Sequence, residues 1–237
     1  MNIIVTGASR GIGYQLARNF ASDNNNSVLL ISRNEQRLKD LQQQCQDEFP
    51  QCRISIIPFD LEDLDGIEKS LNEKIRKIFS SVDVLVNNAG LLINKPINEI
   101  DVDDARRMMT VNYLAPLILV RSIMPLLING VAPHVVNIGS MAGVPGVKKF
   151  PGLSGYSASK AAVHVLTECF VSEFGESGVH FNTLALGTVQ TDMLTVAFPG
   201  LEAPLKADEM AGFVADFSLN GQKFFNGKIL PVSLSTP

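Results

Sequence analysis

Short runs of apolar and β-branched residues alternate along the chain with longer amphipathic stretches, and each short run predicts a β-strand. The predicted strands are Asn2–Thr6, Ser27–Ser32, Arg53–Pro58, Asp83–Asn87, His134–Gly139, His180–Ala185 and Lys228–Val232. Several of them are continuous in Val, Ile and Leu rather than alternating with polar residues. Continuous apolar strands are typical of a sheet that is covered by helices on both faces.

The longer stretches carry apolar residues at helical spacing and predict helices. The predicted helices are Gly11–Ala21, Glu35–Glu48, Leu64–Ser80, Asp101–Ile128, Ser157–Phe174 and Ala207–Leu219. Strands and helices in alternation predict a parallel sheet with right-handed crossovers. We therefore expect residues 1–237 to form a single α/β domain, a Rossmann-type doubly wound parallel sheet of about seven strands with helices on both faces.

Residues 188–206 do not fit the alternation. The segment contains two prolines, a glycine and several apolar residues, among them Met193 and Phe198. An irregular apolar segment after the carboxyl end of a strand is a candidate substrate lid over the crevice in which open α/β sheets bind ligands. An ordinary surface loop with a short helix explains the same composition.

The composition narrows the class of function. Of the 237 residues 46% are hydrophobic and 19% charged, and the formal net charge is −4. This balance is typical of a packed globular protein, and it provides no basic surface for a nucleic acid. Pro116 and Pro125 interrupt the longest apolar run, and no basic region precedes the first apolar run, so neither a membrane span nor a secretion signal is expected.

Cysteines and histidines suggest neither a disulfide framework nor a metal site. Cys45, Cys52 and Cys169 are odd in number and widely separated, which favours a reducing compartment, and we expect a cytoplasmic location. The histidines, which lack metal-ligand spacing and are expected to be structural or exposed, are His134, His164 and His180.

A glycine-rich turn joins the first predicted strand to the first predicted helix. It has the sequence T-G-A-S-R-G-I-G from Thr6 to Gly13. Unpaired backbone N–H groups at a helix N-terminus attract anions, and glycines let the backbone approach a pyrophosphate. The turn lacks the third glycine of G-x-G-x-x-G, since Leu16 is at that position, and glycine-rich turns also occur for structural reasons. Its place between strand and helix favours a dinucleotide, with contacts predicted at Gly7, Ser9, Arg10, Gly11, Ile12 and Gly13.

The end of the second strand distinguishes NADP(H) from NAD(H). Sites that prefer NAD usually have an acidic residue there, bonded to the ribose 2′-hydroxyl. Here Ser32 is followed by Arg33. The guanidinium of Arg33, with Arg10 as a second cation, is suited to a 2′-phosphate, although Arg33 at the start of a helix could also be merely solvated. We expect NADP(H) to be preferred over NAD(H).

Tyr156 and Lys160 lie one helical turn apart, and they share one face if a helix begins near Gly155. A nearby ammonium favours a phenolate, so we expect Lys160 to lower the pKa of Tyr156 and to make the phenol a proton donor or acceptor for a carbonyl or alcohol. Ser140 follows a predicted strand at the ligand end of the sheet, where its hydroxyl can polarise a carbonyl. Each of these residues is also common in structural roles.

Taken together, these motifs resemble the short-chain dehydrogenase/reductase family, and within it the 3-oxoacyl-acyl-carrier-protein reductase-like branch. The resemblance runs from Asn2 to about Val232. The residues that carry it are Thr6–Gly13, Asn87–Gly90, Asn112, Ser140, Tyr156 and Lys160.

The resemblance implies a role for each matching position. Tyr156 is expected to be the general acid/base, Lys160 to modulate its pKa and bind the nicotinamide ribose, and Ser140 to orient the carbonyl. Asn112 is expected to hold a relay water, although a structural asparagine with satisfied hydrogen bonds is an alternative. Further cofactor contacts are implied at Asp60, Leu61, Asn88, Ala89, Gly90, Gly187 and Thr188.

Two features depart from the family pattern. Leu186-Gly187 replaces the usual Pro-Gly after the sixth strand, which affects the expected nicotinamide contacts. The stretch 141–155 between Ser140 and Tyr156 is a few residues longer than is common, and it carries Lys148 and Lys149. These residues are expected to reshape the mouth of the substrate site.

The expected function is therefore NADP(H)-dependent hydride transfer to or from a small carbonyl or secondary alcohol. A dinucleotide sensor or scaffold on the same fold is the alternative, because a fold alone does not establish turnover. The resemblance also implies a homo-oligomer, a dimer or tetramer, with interfaces on the apolar faces of Asp101–Ile128 and Ser157–Phe174.

Overall fold

Seven parallel strands form the central sheet of the protein. A computed structural model describes residues 1–234, and the last three residues of the predicted domain lie outside the described part. The sheet has the order β3-β2-β1-β4-β5-β6-β9. Its strands are β1 Asn2–Thr6, β2 Ser27–Ser32, β3 Arg53–Pro58, β4 Val84–Asn87, β5 His134–Ser140, β6 His180–Leu186 and β9 Lys228–Val232.

Helices cover both faces of this sheet. They are α1 Gly11–Ala21, α2 Glu35–Glu48, α3 Leu64–Gly66, α4 Asn72–Ile78, α5 Val102–Met109, α6 Ala115–Ile128, α7 Ser154–Phe174, α8 Asp192–Ala197 and α9 Ala207–Asn220. One buried cluster joins one sheet face to α1, α2 and α9, and a second joins the other face to α6 and α7. The predicted Rossmann-type α/β fold is confirmed.

Two predicted helices contain a wider π-helical turn. The turns are Ile67–Leu71, between α3 and α4, and Thr110–Leu114, between α5 and α6. A π-helical turn inserts an extra residue into the helical ladder and changes the direction of side chains. The predicted helices over 64–80 and 101–128 thus exist, but neither is a regular α-helix throughout.

The expectation that prolines shorten the apolar run is wrong. The helical stretch Val102–Ile128 is long and apolar enough to cross a membrane, since it contains an 18-residue apolar window with a mean hydropathy of 1.7. Pro116 lies at the start of α6, just after the π-helical turn, and Pro125 is accommodated inside that helix. Half of the apolar window is buried in the protein, and residues such as Leu119 and Ile123 pack in the core. The core helix of a globular protein has this same composition.

Candidate active site

A cavity of about 980 Å³ lies at the carboxyl ends of the strands. It is lined by residues that follow β1, β2, β3, β4, β5 and β6, as expected for an open α/β sheet. The predicted site residues that line it are Gly7, Ser9, Arg10, Gly11, Ile12, Arg33, Asp60, Leu61, Asn88, Ala89, Gly90, Ser140, Tyr156, Lys160, Gly187 and Thr188. The other two predicted site residues, Gly13 and Asn112, are not among those that line the cavity.

The glycine turn leaves the start of α1 open to this cavity. Arg10, the residue before the helix, makes no side-chain capping bond, so the first N–H groups of the helix stay available to an anion. Gly7 and Gly11 have φ values of 68° and 57°, which favour glycine. A Cβ on Gly13 would lie 2.4 Å from the Gly7 oxygen. The close packing and the free N–H groups fit a dinucleotide pyrophosphate.

Asn88 connects the loop after β4 to the glycine turn by hydrogen bonds. Its side-chain amide donates to the carbonyl oxygens of Thr6 and Gly7, at 2.9 and 3.2 Å. In return the Thr6 hydroxyl accepts hydrogen bonds from the backbone N–H groups of Asn88 and Ala89, at 3.1 and 3.0 Å. These bonds connect the ends of two neighbouring strands, and they hold the cavity wall in one shape.

Charged residues line the end of the cavity next to β2. Arg33 is more than half exposed, and its guanidinium lies 3.4 Å from Glu62 and 3.9 Å from Asp60. Glu62 also accepts two bonds from Arg107, which hold the pKa of that carboxyl below its usual range. Arg33 can therefore turn toward a bound phosphate, but it shares this region with two carboxylates.

The sequence argument missed other groups in the same region. Arg37 lines the cavity with Ser32, whose hydroxyl donates to the Ser9 hydroxyl at 2.8 Å. Arg37 lies in the first turn of α2, only four residues after Arg33, so its nearness in the sequence could have indicated that both cations reach the same end of the cavity.

Tyr156 and Lys160 lie in the first two turns of α7 and are both buried. The Lys160 Nζ donates to the Ile138 carbonyl at 2.7 Å and is 5.9 Å from the centre of the Tyr156 ring. Ser140 ends β5, and its hydroxyl interacts with the phenol. The structure thus brings the three side chains together at one wall of the cavity.

The pKa of Tyr156 differs from the sequence-based expectation. In the protein chain alone, burial raises the pKa of the phenol, and the Ser140 hydroxyl opposes this only in part. Burial also lowers the pKa of Lys160 to about 8. The expectation of a lowered phenol pKa is wrong for the chain by itself, because burial disfavours the charged form of the phenol.

Asn112 lies in the π-helical turn Thr110–Leu114 and is buried. Its side chain accepts from the Leu91 N–H and donates to the Leu91 oxygen, each at 2.8 Å, and it donates to the Ser159 hydroxyl at 2.9 Å. The amide is thereby satisfied within the protein, as the structural alternative expects. The relay role stays a prediction.

Several residues of the segment 188–206 line the cavity near Tyr156. The segment contains α8 and a small parallel pair formed by β7 Val189–Gln190 and β8 Leu205–Lys206. Phe198 packs against a small cluster that includes Tyr156. The Gly187 N–H donates to Val232 in β9 at 2.8 Å, so the turn after β6 is held without the usual proline.

The stretch 141–155 after Ser140 forms another wall of the cavity. It begins with a 3-10 turn over Met141–Gly143, and Lys149 donates to the Ala142 carbonyl at 2.9 Å. Phe150 and Lys148 line the cavity. The stretch 141–155 therefore contributes to the cavity lining, and its expected effect on the mouth of the substrate site stays a prediction.

The cavity lies where the strand order of the sheet reverses, next to β1 and β4. A cavity at this point of a parallel, doubly wound sheet is typical of dinucleotide-binding proteins. The sequence model described as short chain dehydrogenase matches residues 1–201. An uncharacterized oxidoreductase of Staphylococcus saprophyticus is 33% identical over 192 residues, 80% of this chain and 79% of that protein. The chain belongs to the short-chain dehydrogenase/reductase family, whose members are oxidoreductases that bind nicotinamide dinucleotides and act on small molecules.

Two further similar proteins are named by an activity or by a bound cofactor. A fatty acyl-CoA reductase of Mycobacterium tuberculosis is 32% identical over 212 residues, 87% of this chain and 69% of that protein. The crystal structure of a short chain dehydrogenase from Burkholderia cenocepacia in complex with NADP is 25% identical. It has a TM-score of 0.85 and covers 98% of this chain and 95% of that chain. The narrower resemblance to the 3-oxoacyl-acyl-carrier-protein reductase-like branch stays a prediction.

Proposed function

We propose that this protein is an NADP(H)-dependent oxidoreductase in which Tyr156 exchanges a proton with a small carbonyl or secondary alcohol. The observation that carries the proposal is the grouping of Tyr156, Lys160 and Ser140 in one cavity with the glycine turn. When bound, the nicotinamide supplies or accepts the hydride. The chain itself orients the substrate and provides the proton path.

Reduction is the proposed direction because NADPH is the proposed cofactor, and burial keeps the phenol of Tyr156 protonated at neutral pH by raising its pKa. A phenol that stays protonated at neutral pH is ready to donate to a carbonyl oxygen as negative charge develops there. The Ser140 hydroxyl is positioned to donate a hydrogen bond to the same oxygen. Lys160, held by the Ile138 carbonyl, adds positive charge beside the phenol and favours its ionised form once the proton has left.

A preference for NADP(H) over NAD(H) is part of the proposal. Arg33 and Arg37 line the cavity where an acidic residue is usual in NAD-preferring sites, and Arg10 is a third cation in the lining. The NADP complex from Burkholderia cenocepacia supports the same choice. The carboxylates of Asp60 and Glu62 argue against a preference for NADP(H), because both lie near the Arg33 guanidinium.

Further proposals concern organisation and location. We propose that residues 1–237 form one domain, that 188–206 act as a substrate lid, and that the protein works in the cytoplasm. Asn94 supports the lid, since its amide donates to the Ala197 carbonyl at the end of α8, at 2.7 Å.

The Tyr156→Phe variant tests the proposed reaction. It removes the exchangeable proton and keeps the ring, so we expect kcat to fall at least about 100-fold, within the usual contribution of a general acid. NADPH oxidation is to be measured with ketones, 3-oxoacyl esters and acyl-CoA thioesters, and NADPH affinity by fluorescence titration. The Tyr14→Phe variant is the matched control, because Tyr14 bonds to Gln44 and does not line the cavity. Near-full activity of Tyr156→Phe would show that the proton comes from another group.

The alternative is a dinucleotide sensor or scaffold. It predicts NADPH binding by the wild-type protein without oxidation in the presence of any substrate of the panel. Turnover that depends on Tyr156 would exclude it, whereas binding without turnover would favour it.

A further inference from the structure

β5 extends beyond its neighbour β4 at the site. The last registered pair of the two strands is Asn87 with Asn137, and β5 continues to Ser140. The His134 N–H donates to the Asp83 carbonyl, just before β4, so this residue directs its backbone groups toward β4. Backbone groups of residues two apart in a strand point to the same neighbouring strand, so those of Ile138 and Ser140 also point to the β4 side, beyond the last registered pair.

At this end of β5, side chains of α7 make hydrogen bonds with the backbone groups that point to the β4 side. The Ile138 carbonyl accepts from Lys160, and the Ser140 N–H donates to Nε2 of His164 at an N···N distance of 3.4 Å. Tyr156, Lys160 and His164 follow one another at intervals of one helical turn, and all three are buried. One face of α7 therefore carries Tyr156 as the proposed acid, Lys160 as the cation beside it, and His164 as a hydrogen-bond partner of the Ser140 backbone.

His164 is packed tightly against the strand. A Cβ on Gly139 would lie 2.4 Å from the His164 Nε2, so only glycine at that position lets the ring approach. Because Nε2 accepts a hydrogen bond, the imidazole is neutral and carries its proton on Nδ1. Burial, followed by the charges of Lys160 and Lys149, lowers the pKa of His164 to about 4, which keeps Nε2 an acceptor at neutral pH.

We propose that His164 is a positioning residue that holds the backbone of Ser140, and thereby its hydroxyl, in register with Tyr156. The inference rests on the proposed function, in which Ser140 orients the carbonyl. Without the acceptor, the Ser140 N–H loses its partner on the β4 side. The end of β5 is then anchored on the β6 side, where Ser140 pairs with Leu186, and is less restrained toward β4. A displacement of about 1 Å in a catalytic group is enough to lower the rate about 100-fold.

Two substitutions separate loss of the acceptor from loss of the ring. His164→Leu fills much of the space of the ring but has no acceptor, and we expect kcat/KM for the carbonyl substrate to fall about 10- to 100-fold. His164→Gln places an amide oxygen near the position of Nε2, and we expect it to restore kcat/KM to within about 3-fold of the wild type. NADPH affinity should be unchanged in both. Equal kcat/KM for the two variants would overturn the proposal.

A double variant shows whether His164 acts through Ser140. In a Ser140→Ala background the hydroxyl is already gone, so His164→Leu should cause less than about a 3-fold further loss of kcat/KM, because effects on a shared function are not additive. Multiplied losses would contradict the proposal. His180→Leu, at the opposite end of the sheet, is the matched control and should keep wild-type kcat/KM and cofactor affinity.

A measurement independent of turnover distinguishes failure of this inference from failure of the proposed function. Amide hydrogen exchange of a peptide that contains residues 138–141 should accelerate in His164→Leu and stay slow in His164→Gln. His164→Asn, whose shorter amide does not reach Ser140, replaces the leucine variant if that protein does not fold. Unchanged exchange in the variant without an acceptor would refute the anchoring role, even if the wild type reduces no carbonyl of the panel.

Discussion

At the scale of single residues, buried polar side chains have hydrogen-bond partners that the sequence does not show. His134 is fully buried in β5, and its Nδ1 donates to the Ser218 carbonyl at 3.0 Å. Its Nε2 accepts from the side-chain amide of Asn182 at 2.9 Å. Both ring nitrogens are therefore used by a neutral imidazole, and burial lowers the pKa of His134 to about 4. The sequence argument, which considered this histidine structural or exposed, could not identify these partners.

Stability should decrease when the pH falls below about 6.5, the usual pKa of an unfolded histidine. The unfolded chain binds a proton below that pH, while the folded pKa values of His134 and His164, lowered by burial, are about 4. The contribution of these two histidines to the free energy of unfolding is thus complete above pH 6.5. It declines as the pH falls to 4, by roughly 1 to 3 kcal/mol for each histidine.

Urea unfolding at pH 7, 6 and 5 measures this decline. His134→Gln keeps polar contacts without a titrating ring, and it should reduce the slope of stability against pH by up to about one proton. A slope identical to that of the wild type would contradict the assignment. Paired carboxylates such as Glu62 add to the decline mainly at lower pH, since Arg107 lowers the pKa of that group.

Cofactor preference is also decided by single residues. Arg33→Asp removes a cation from the cavity end and adds a third carboxylate beside Asp60 and Glu62. We expect the affinity for NADPH to fall roughly 10- to 100-fold and that for NADH to change much less, because a charged hydrogen bond contributes about 1.5 to 3 kcal/mol. Titration with both cofactors checks this. Arg76→Asp, on the surface of α4, is the matched control. An equal loss for both cofactors would argue against a 2′-phosphate contact.

At the scale of elements, the irregular pieces shape the site. The π-helical turn Thr110–Leu114 directs Asn112 to the backbone of Leu91, and this fixes the start of the loop over 91–95. Asn94 in the same loop holds the end of α8. Helical spacing predicted one continuous helix over 101–128, because the stretches on both sides of the π-helical turn carry helical spacing and a single inserted residue has no local sequence signal.

Asn94→Ala tests whether residues 188–206 act as a lid. The variant loses the bond to the Ala197 carbonyl, and we expect KM for the carbonyl substrate to rise up to about 10-fold, as the net contribution of one hydrogen bond allows. NADPH affinity should change less. Steady-state kinetics measure both, and Asn72→Ala, on the far helix α4, is the control. An unchanged KM would favour the alternative of an ordinary surface loop.

At the scale of the whole molecule, exposed apolar residues remain on the two helices predicted to form interfaces. Val165 on α7 is 58% exposed and Ile128 at the end of α6 is 51% exposed. Apolar groups left at the surface of long helices are consistent with a homo-oligomer, which the resemblance also implies. The oligomeric state stays a prediction.

Light scattering coupled to size-exclusion chromatography tests that state. We expect a dimer or tetramer at micromolar concentration and a smaller species for Val165→Glu, because a carboxylate buried without a partner at an interface is costly. Val131→Glu is the matched control, since Val131 is 75% exposed and lies outside both predicted faces. A wild-type monomer would contradict the prediction.

Much of the fold and of the cavity lining could be predicted from sequence. All seven strands of the sheet begin within one residue of their predicted positions. Continuous apolar runs and a glycine turn are local signals, and each is complete within a few consecutive residues. Arg37 was missed because it lies inside a helix, away from the turn where the pattern places the cofactor.

The sequence by itself determined the alternation of strands and helices, the family motifs and the end of the sheet where they meet. Only the tertiary structure decided that burial raises the pKa of Tyr156, that Asn112 is satisfied by Leu91 and Ser159, and that His164 reaches the backbone of Ser140. The physical reason is that periodicity and turn chemistry act between neighbours in the chain, whereas desolvation and hydrogen-bond partners depend on residues that only folding brings together.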